Sequence, residues 1–307
     1  MITRFFSTSK PIHLVLISIF VLVLFLVVRL GYYSQGITTI QVLKEIVLYG
    51  TTLLSIFVLS FFVNKNNLTK KNSFKILFFS LFLASIPETI QHGNIIISNV
   101  LILFALRRII SLRSNLRIKK KLFDAAFWIT LAALFYFWSI LFLVLVFAGL
   151  ILYSIGQVNN WIIPFTGIST IILILITCNI IVGNSLGAIA MYFDDFNLDF
   201  SNYDKPKLLV PISFILSLGL CALYFFTRIL HEKSSLYKPS FIIIIIALLI
   251  GAVIIVLAPN KNGSEFIFLF APLAIIMTNF IELMKNSWVT EVFIGLIVIL
   301  PIVRLIF

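Results

Sequence analysis

The chain has 307 residues, 61% of them hydrophobic and only 11% charged, with 23 lysines and arginines against 11 acids. Globular domains average about 25% charged residues, and here the apolar residues recur along the whole length. A soluble enzyme is therefore excluded, and one integral membrane domain over residues 1–307 is expected. The net charge of +12 reads as basic loops gathered on one membrane face, where they can also touch anionic lipid head groups, and not as nucleic-acid binding.

The apolar runs are continuous, whereas a barrel needs alternating segments of about ten residues, so they are expected to be helices. Arg4 and Lys10 precede the first run, which is the arrangement of a signal anchor. No small-x-small cleavage site follows Leu30, so a retained first helix over 11–30 is expected. Pro11 suits its first turn, and Arg29 at its far end can snorkel to the outer interface. An outer loop over 31–44 leads to a second helix over 45–63, and NKNNLTKKNS returns inside.

Two short apolar runs follow, 74–86 and 95–106, joined by PETIQHGN with Glu88 and His92. Each is shorter than the roughly 20 residues of a straight span, and short or interrupted segments mark substrate sites in some transporters. Residues 106–124 then carry Arg107, Arg108, Arg113, Arg117, Lys119, Lys120 and Lys121 against one acid, Asp124. A loop this basic stays cytoplasmic and orients the runs on either side of it.

The run over 122–153 is too long for one straight helix and is split near Trp138 and Ser139, where FYFWS reads as an interfacial belt. SIGQVNN turns inside, and a helix over 161–182 tolerates Pro164 in its first turn. Residues 183–207 form an outer loop with Asp194, Asp195, Asp199 and Asp204 among aromatic residues. Helices over 208–227, 240–258 and 266–284 and a last one reaching the C-terminus complete the reading. Their connections are RILHEKSSLYKP inside, PNKNGSE outside and KNSWVTE inside.

The expected fold is thus an all-α, polytopic transmembrane helix bundle of about eleven spans in a bacterial inner membrane. Its N-terminus is cytoplasmic and its C-terminus periplasmic. Among the lysines and arginines, this topology leaves only Arg29, Lys44, Lys205, Lys207, Lys261 and Arg304 outside, as the positive-inside rule requires.

Chemistry-bearing residues are sparse. Gly183-Asn184-Ser185-Leu186-Gly187 matches a nucleophile elbow, but a helix precedes it where that motif needs a strand, and the only later histidine, His231, lies on the opposite membrane face. The same glycines form a GxxxG that lets helices approach closely. The 3 histidines fall at different levels, His13 and His231 inside and His92 outside, so no metal centre is expected. Neither a phosphate loop nor a dinucleotide fingerprint is present, and no cofactor is expected. Cys178 and Cys221 read as small core hydrophobes.

Glu88 and His92, four residues apart, share a face if their turn is helical, and a boundary carboxylate can serve as general base or proton carrier. Asp194 and Asp195 offer paired carboxylates for a hydroxyl or a cation. Lys261 and Glu265 flank a turn that Gly263 lets bend tightly, and Lys261 suits a phosphate. Glu282 and Lys285 read as a boundary ion pair.

ITRFFSTSKP at the start, KKKLFDAAFWITLAALFYFWS and PNKNGSEFIFLFAPLAI together resemble an uncharacterised family of multi-pass membrane proteins from Bacteroidota, and the resemblance covers the whole chain. Some of those relatives are labelled carotene-cleaving oxygenases. Enzymes of that kind use several iron-binding histidines, which this sequence lacks. A looser likeness is to polytopic glycosyltransferases and polymerases that use polyprenyl-linked sugars. Those carry an acid in the first outer loop, whereas here the first is Glu45.

The expected function is therefore the handling of a lipid-linked glycan precursor. Glu88, His92, Asp194 and Asp195 are the catalytic candidates, with Arg29, Lys261 and Glu265 meeting a polyprenyl-linked sugar. The alternatives are a permease or flippase, and an assembly subunit that docks a protein through Arg107 to Lys121.

Overall fold

The computed structural model describes residues 2–30, 38–182, 195–284 and 286–304, the side chains of 30, 229, 231 and 287 excepted. Every regular element among these is helical. After a short α1 (Ile2–Phe6) come α2 (Pro11–Leu30), α3 (Thr39–Lys65), α4 (Phe74–Ser85), α5 (Gly93–Ile110), α6 (Ile118–Phe135) and α7 (Leu143–Leu152). Then follow α8 (Val158–Ile181), α9 (Pro206–Glu232), α10 (Lys238–Leu257), α11 (Ile267–Leu283) and α12 (Ser287–Arg304).

Seven helices among the described residues are long and apolar enough to cross a membrane, while α4 and the Phe137–Leu152 run are apolar but shorter. Much of this apolar surface faces outward. On α8, Ile172, Leu173, Ile174 and Ile180 are exposed, as are Ile12, Val15, Leu16 and Ile19 on α2. Exposed apolar surface on this scale needs a cover of lipid or protein.

The helices largely occupy the expected runs, with instructive differences at the ends. The expected outer loop over 31–44 is shorter, because α3 begins at Thr39. Thr38 and Gln41 form a reciprocal cap there: the Thr38 Oγ1 accepts from Gln41 N at 3.4 Å, and Gln41 Oε1 accepts from Thr38 N at 2.8 Å. Such a box satisfies two otherwise orphaned donors and fixes a helix start. The split in 122–153 occurs where expected. Tyr136 is extended, and a 3-10 turn over Phe137–Phe142 separates α6 from α7.

The contacts gather in two compact units. The first comprises Met1–Ile96, Asp199–Lys233 and Lys261–Phe307, and the second Ile97–Leu198 and Ser234–Asn260. In the first, α4 and α11 form the centre. All twelve residues of α4 are buried, and so is most of α11. A helix apolar all round is covered by protein or by lipid, and here the cover of α4 is protein. At about 1.5 Å per residue α4 is only about 18 Å long, short of a bilayer core of about 30 Å. Phenylalanine fills this centre: Phe79 and Phe82 meet Phe270 at 6.3 and 5.5 Å between ring centroids, and Phe280 meets Phe293 at 5.0 Å.

In the second unit α6 packs closely on α8. A Cβ added at Gly167 of α8 would lie 2.9 Å from the Phe123 carbonyl oxygen and 3.0 Å from Ala126 Cβ. The basic loop is tied back on itself here. Lys121 Nζ donates to Ser111 O at 2.5 Å and Ser114 Oγ at 2.7 Å, Arg108 pairs with Asp124 at 2.9 Å, and Arg113 lies 4.3 Å over the Tyr237 ring. Its tip remains outward, with Leu116, Arg117, Lys119 and Lys120 exposed.

The two cysteines are not core residues. Both Cys178 and Cys221 are exposed, because they fall on the outward faces of α8 and α9, and neither is in a disulfide. The GxxxG over 183–187 lies outside the described residues.

Candidate functional site

Polar side chains collect at one end of the first unit, where three 3-10 turns meet the ends of α2, α3 and α12. The turns are Pro87–Ile90, Ser201–Asp204 and Ser264–Phe266. Each follows or precedes an apolar helix, so backbone groups that the helices leave unpaired must find partners here.

The turn before α11 is the most tightly specified. Lys261 and Gly263 both have positive φ, +39° and +91°, and only glycine adopts the latter without strain. A Cβ at Gly263 would stand 3.0 Å from Leu208 and 3.5 Å from Glu88 Cβ, so the turn is pressed against the Glu88 turn. Glu265 is buried and holds the bend together. Its Oε1 accepts from Gly263 N at 3.2 Å and from the Tyr203 hydroxyl, and its Oε2 accepts from Ser264 Oγ at 3.4 Å. A buried carboxylate is tolerable only with such donors.

Lys261 is fully buried, with its ammonium 4.4 Å above the Phe200 ring. Burial pushes its pKa below the ordinary lysine range, and Glu265 and Asp199 oppose that shift. Asp199 itself is held below the usual carboxylate range by the backbone N–H and side chain of Ser201, with a smaller contribution from Lys261.

Two ion pairs close the end of the unit. Arg304 grips Glu88 with both guanidinium nitrogens, Nη1 at 2.8 Å from Oε2, and also donates to Ser85 O at 3.2 Å. Arg29 pairs with Glu45, Nη2 donating to Oε1 at 2.7 Å, and its Nη1 donates to the carbonyls of Ile90 at 3.0 Å and Gln91 at 2.7 Å. Both cations thus cap backbone carbonyls as well as acids, the geometry that a planar guanidinium suits.

His92 is the outward member of the cluster. Its Nε2 lies 2.8 Å from Asn262 Nδ2. The Asn262 amide is oriented from the other side, because its Oδ1 accepts from Ser264 N at 3.1 Å and Ser264 Oγ at 2.5 Å. Asn262 therefore donates to His92 Nε2. The exposed ring then carries its proton on Nδ1, as a donor toward solvent.

Of the residues singled out in the sequence, Arg29, Glu88, His92, Lys261 and Glu265 share this end of the first unit. Their interactions differ from the simplest expectations. Glu88 and His92 do not face one another: the first turns to Arg304 and the second to Asn262. Lys261 is buried against the Phe200 ring and not at the surface. Asp195 is exposed in an irregular segment of the second unit, and Asp194 lies outside the described residues.

Sequence reasoning missed Tyr203, Asn262 and Arg304 as partners, and it placed Glu45 only as a departure from a pattern. Arg304 had one available signal, its place among the few cations that the expected topology leaves outside.

The opposite end of the first unit holds a second polar network. Lys75 is buried and donates to Asn64 Oδ1 at 2.7 Å and Asn72 O at 2.8 Å, while Glu282 accepts from Lys70 N at 2.8 Å and from Asn72 Nδ2. The partner expected for Glu282, Lys285, lies outside the described residues. Nearby, His13 is buried with Nδ1 at 2.8 Å from Ser73 Oγ. Among the described residues no three His, Cys, Asp or Glu side chains are grouped to hold a metal.

A family model described as a family of unknown function, DUF6427, matches residues 1–307. No curated protein and no solved structure matches the chain.

Proposed function

The chain belongs to the DUF6427 family, and we propose that it is a polytopic inner-membrane protein acting on the polar head of a lipid-linked glycan precursor, by glycosyl transfer, at the outer face. About eleven membrane-embedded segments put the N-terminus in the cytoplasm and the C-terminus in the periplasm, an orientation supported by the bias of lysines and arginines toward one set of loops. The observation that carries the reading is the meeting of Arg29, Glu88, His92, Lys261 and Glu265 at one end of one unit. Ionisable side chains are rare in membrane-embedded chains, and those held within one are kept where function needs them.

Within this reading the residues divide into a frame and a contact. The two arginine pairs and the Tyr203–Glu265–Lys261 group are satisfied among themselves and hold the turns. His92, exposed and oriented through Asn262 and Ser264, is the donor that meets an oxygen of the sugar or phosphate. Orientation of this kind is what a neutral imidazole needs to act as a directed donor.

The test is His92→Ala, a surface change, made in the native host. Extracellular glycans should fall at least tenfold while a lipid-linked precursor accumulates, and the purified variant should melt like the wild type. Unchanged glycans with normal expression would remove the glycan role.

A further inference from the structure

We propose that the groove between α2 and α3 of the first unit is a binding site for one anionic phospholipid. The two helices are pinned at one level, where the Tyr49 hydroxyl donates to Ser18 O at 3.1 Å. Beyond that pin, two adjoining hollows of about 560 and 300 Å³ share Leu14 and Phe57 as walls. The smaller hollow is lined by Leu53, Leu54 and Ile56, and opens at Gly50, where an added Cβ would meet nothing within 4 Å. The larger hollow ends at Ser60, Asn64 and Lys65.

Chemistry selects the occupant. The floor is apolar over the distance from Gly50 to Lys65, about 22 Å along α3, enough for an acyl chain in one leaflet of about 15 Å. The polar end supplies donors and no acid. Buried Lys75 takes the Asn64 Oδ1 at 2.7 Å, which turns the amide N–H groups of Asn64 away from Lys75. The Lys65 ammonium lies 5.5 Å over the Phe61 ring, at the rim of the same hollow. A hydroxyl, an amide and an ammonium at the head of an apolar trough complement a phosphate diester carrying net negative charge. The site lies at the Lys65 end of α3, opposite the Glu45 end that enters the cluster around His92, so it is independent of the glycan reading.

The experiment uses the full chain in neutral detergent. Melting temperature is followed as phosphatidylglycerol or zwitterionic phosphatidylcholine is titrated, and retained phospholipid is counted by native mass spectrometry. The wild type should retain one phospholipid and bind phosphatidylglycerol about fivefold more tightly than phosphatidylcholine, the preference expected of one lysine at a lipid surface. Lys65→Glu, an exposed change, should abolish that preference. Gly50→Leu should fill the smaller hollow and lower retained lipid of both kinds. Equal affinity for the two lipids in the wild type would overturn the proposal, and so would a preference unaltered in a folded Lys65→Glu protein. Should Gly50→Leu fail to fold, the Lys65→Glu comparison decides alone.

Discussion

Glu88 poses the sharpest choice between a reacting group and a structural one, and the Arg304 pair lets it be settled. Removing one partner of a fully buried ion pair costs about 3–5 kcal/mol, whereas an exposed pair contributes about 0–1 kcal/mol. The two side chains are 14% and 16% exposed, so the cost lies between these limits, at about 2 kcal/mol for either partner. For a chain of this size that is a fall in melting temperature of about 3 °C. Glu88→Gln keeps the shape of the side chain and removes its charge, and Arg304→Met removes the opposing charge and the donors to Ser85. If the pair is a clasp between α12 and the end of α4, each change should destabilise by that amount. The double variant should then cost barely more than either single one, since the same interaction is lost only once. Thermal unfolding of the four proteins in detergent measures the cycle. Losses that add would rule out the clasp. So would a Glu88→Gln protein that melts like the wild type yet abolishes the glycan phenotype, for then the carboxylate is working on a substrate and not on Arg304.

Two further outcomes test the frame. Gly167→Val should destabilise the α6–α8 crossing by about 1–3 kcal/mol, because its Cβ would press on the Phe123 carbonyl at 2.9 Å; a variant melting at the wild-type temperature would show that the helices can part there without cost. Lys261 gives a pH dependence of known sign. Burial lowers its pKa below 10.5, so between the lowered value and 10.5 the unfolded chain binds more protons than the folded one, and stability attributable to this lysine rises with pH. Melting temperature recorded across that alkaline window should lose this upward component in Lys261→Met, and identical slopes for the two proteins would contradict the burial of the ammonium.

Much of the helical order was legible in the sequence because long apolar runs have few alternatives, and some of their ends are marked by lysines, prolines and glycines. The start of α3 was not, because a capping box built from Thr38 and Gln41 looks like ordinary loop composition until its reciprocal bonds are seen. The inward burial of α4 was hidden for a different reason. A run apolar on every side has the same composition whether it faces lipid or protein, and only its shortness hinted that α4 is enclosed. Cys178 and Cys221 were misplaced by the same ambiguity.

The candidate site shows how far sidedness alone can carry an argument. Placing Arg29, Glu88, His92, Lys261 and Glu265 on one face required only the count of charges in loops, and the structure brings them to one end of a unit. What charge counting cannot supply is pairing. Glu45 and Arg304 were visible as charges on the same expected face, yet their effect is to neutralise Arg29 and Glu88, two of the expected site residues. In a low-dielectric setting such neutralisation is expected, since a lone charge there is costly. The group left facing outward, His92, is instead the one whose neutral form is inexpensive to present. A boundary site in a chain this apolar is therefore better sought at its exposed neutral donors than at its carboxylates.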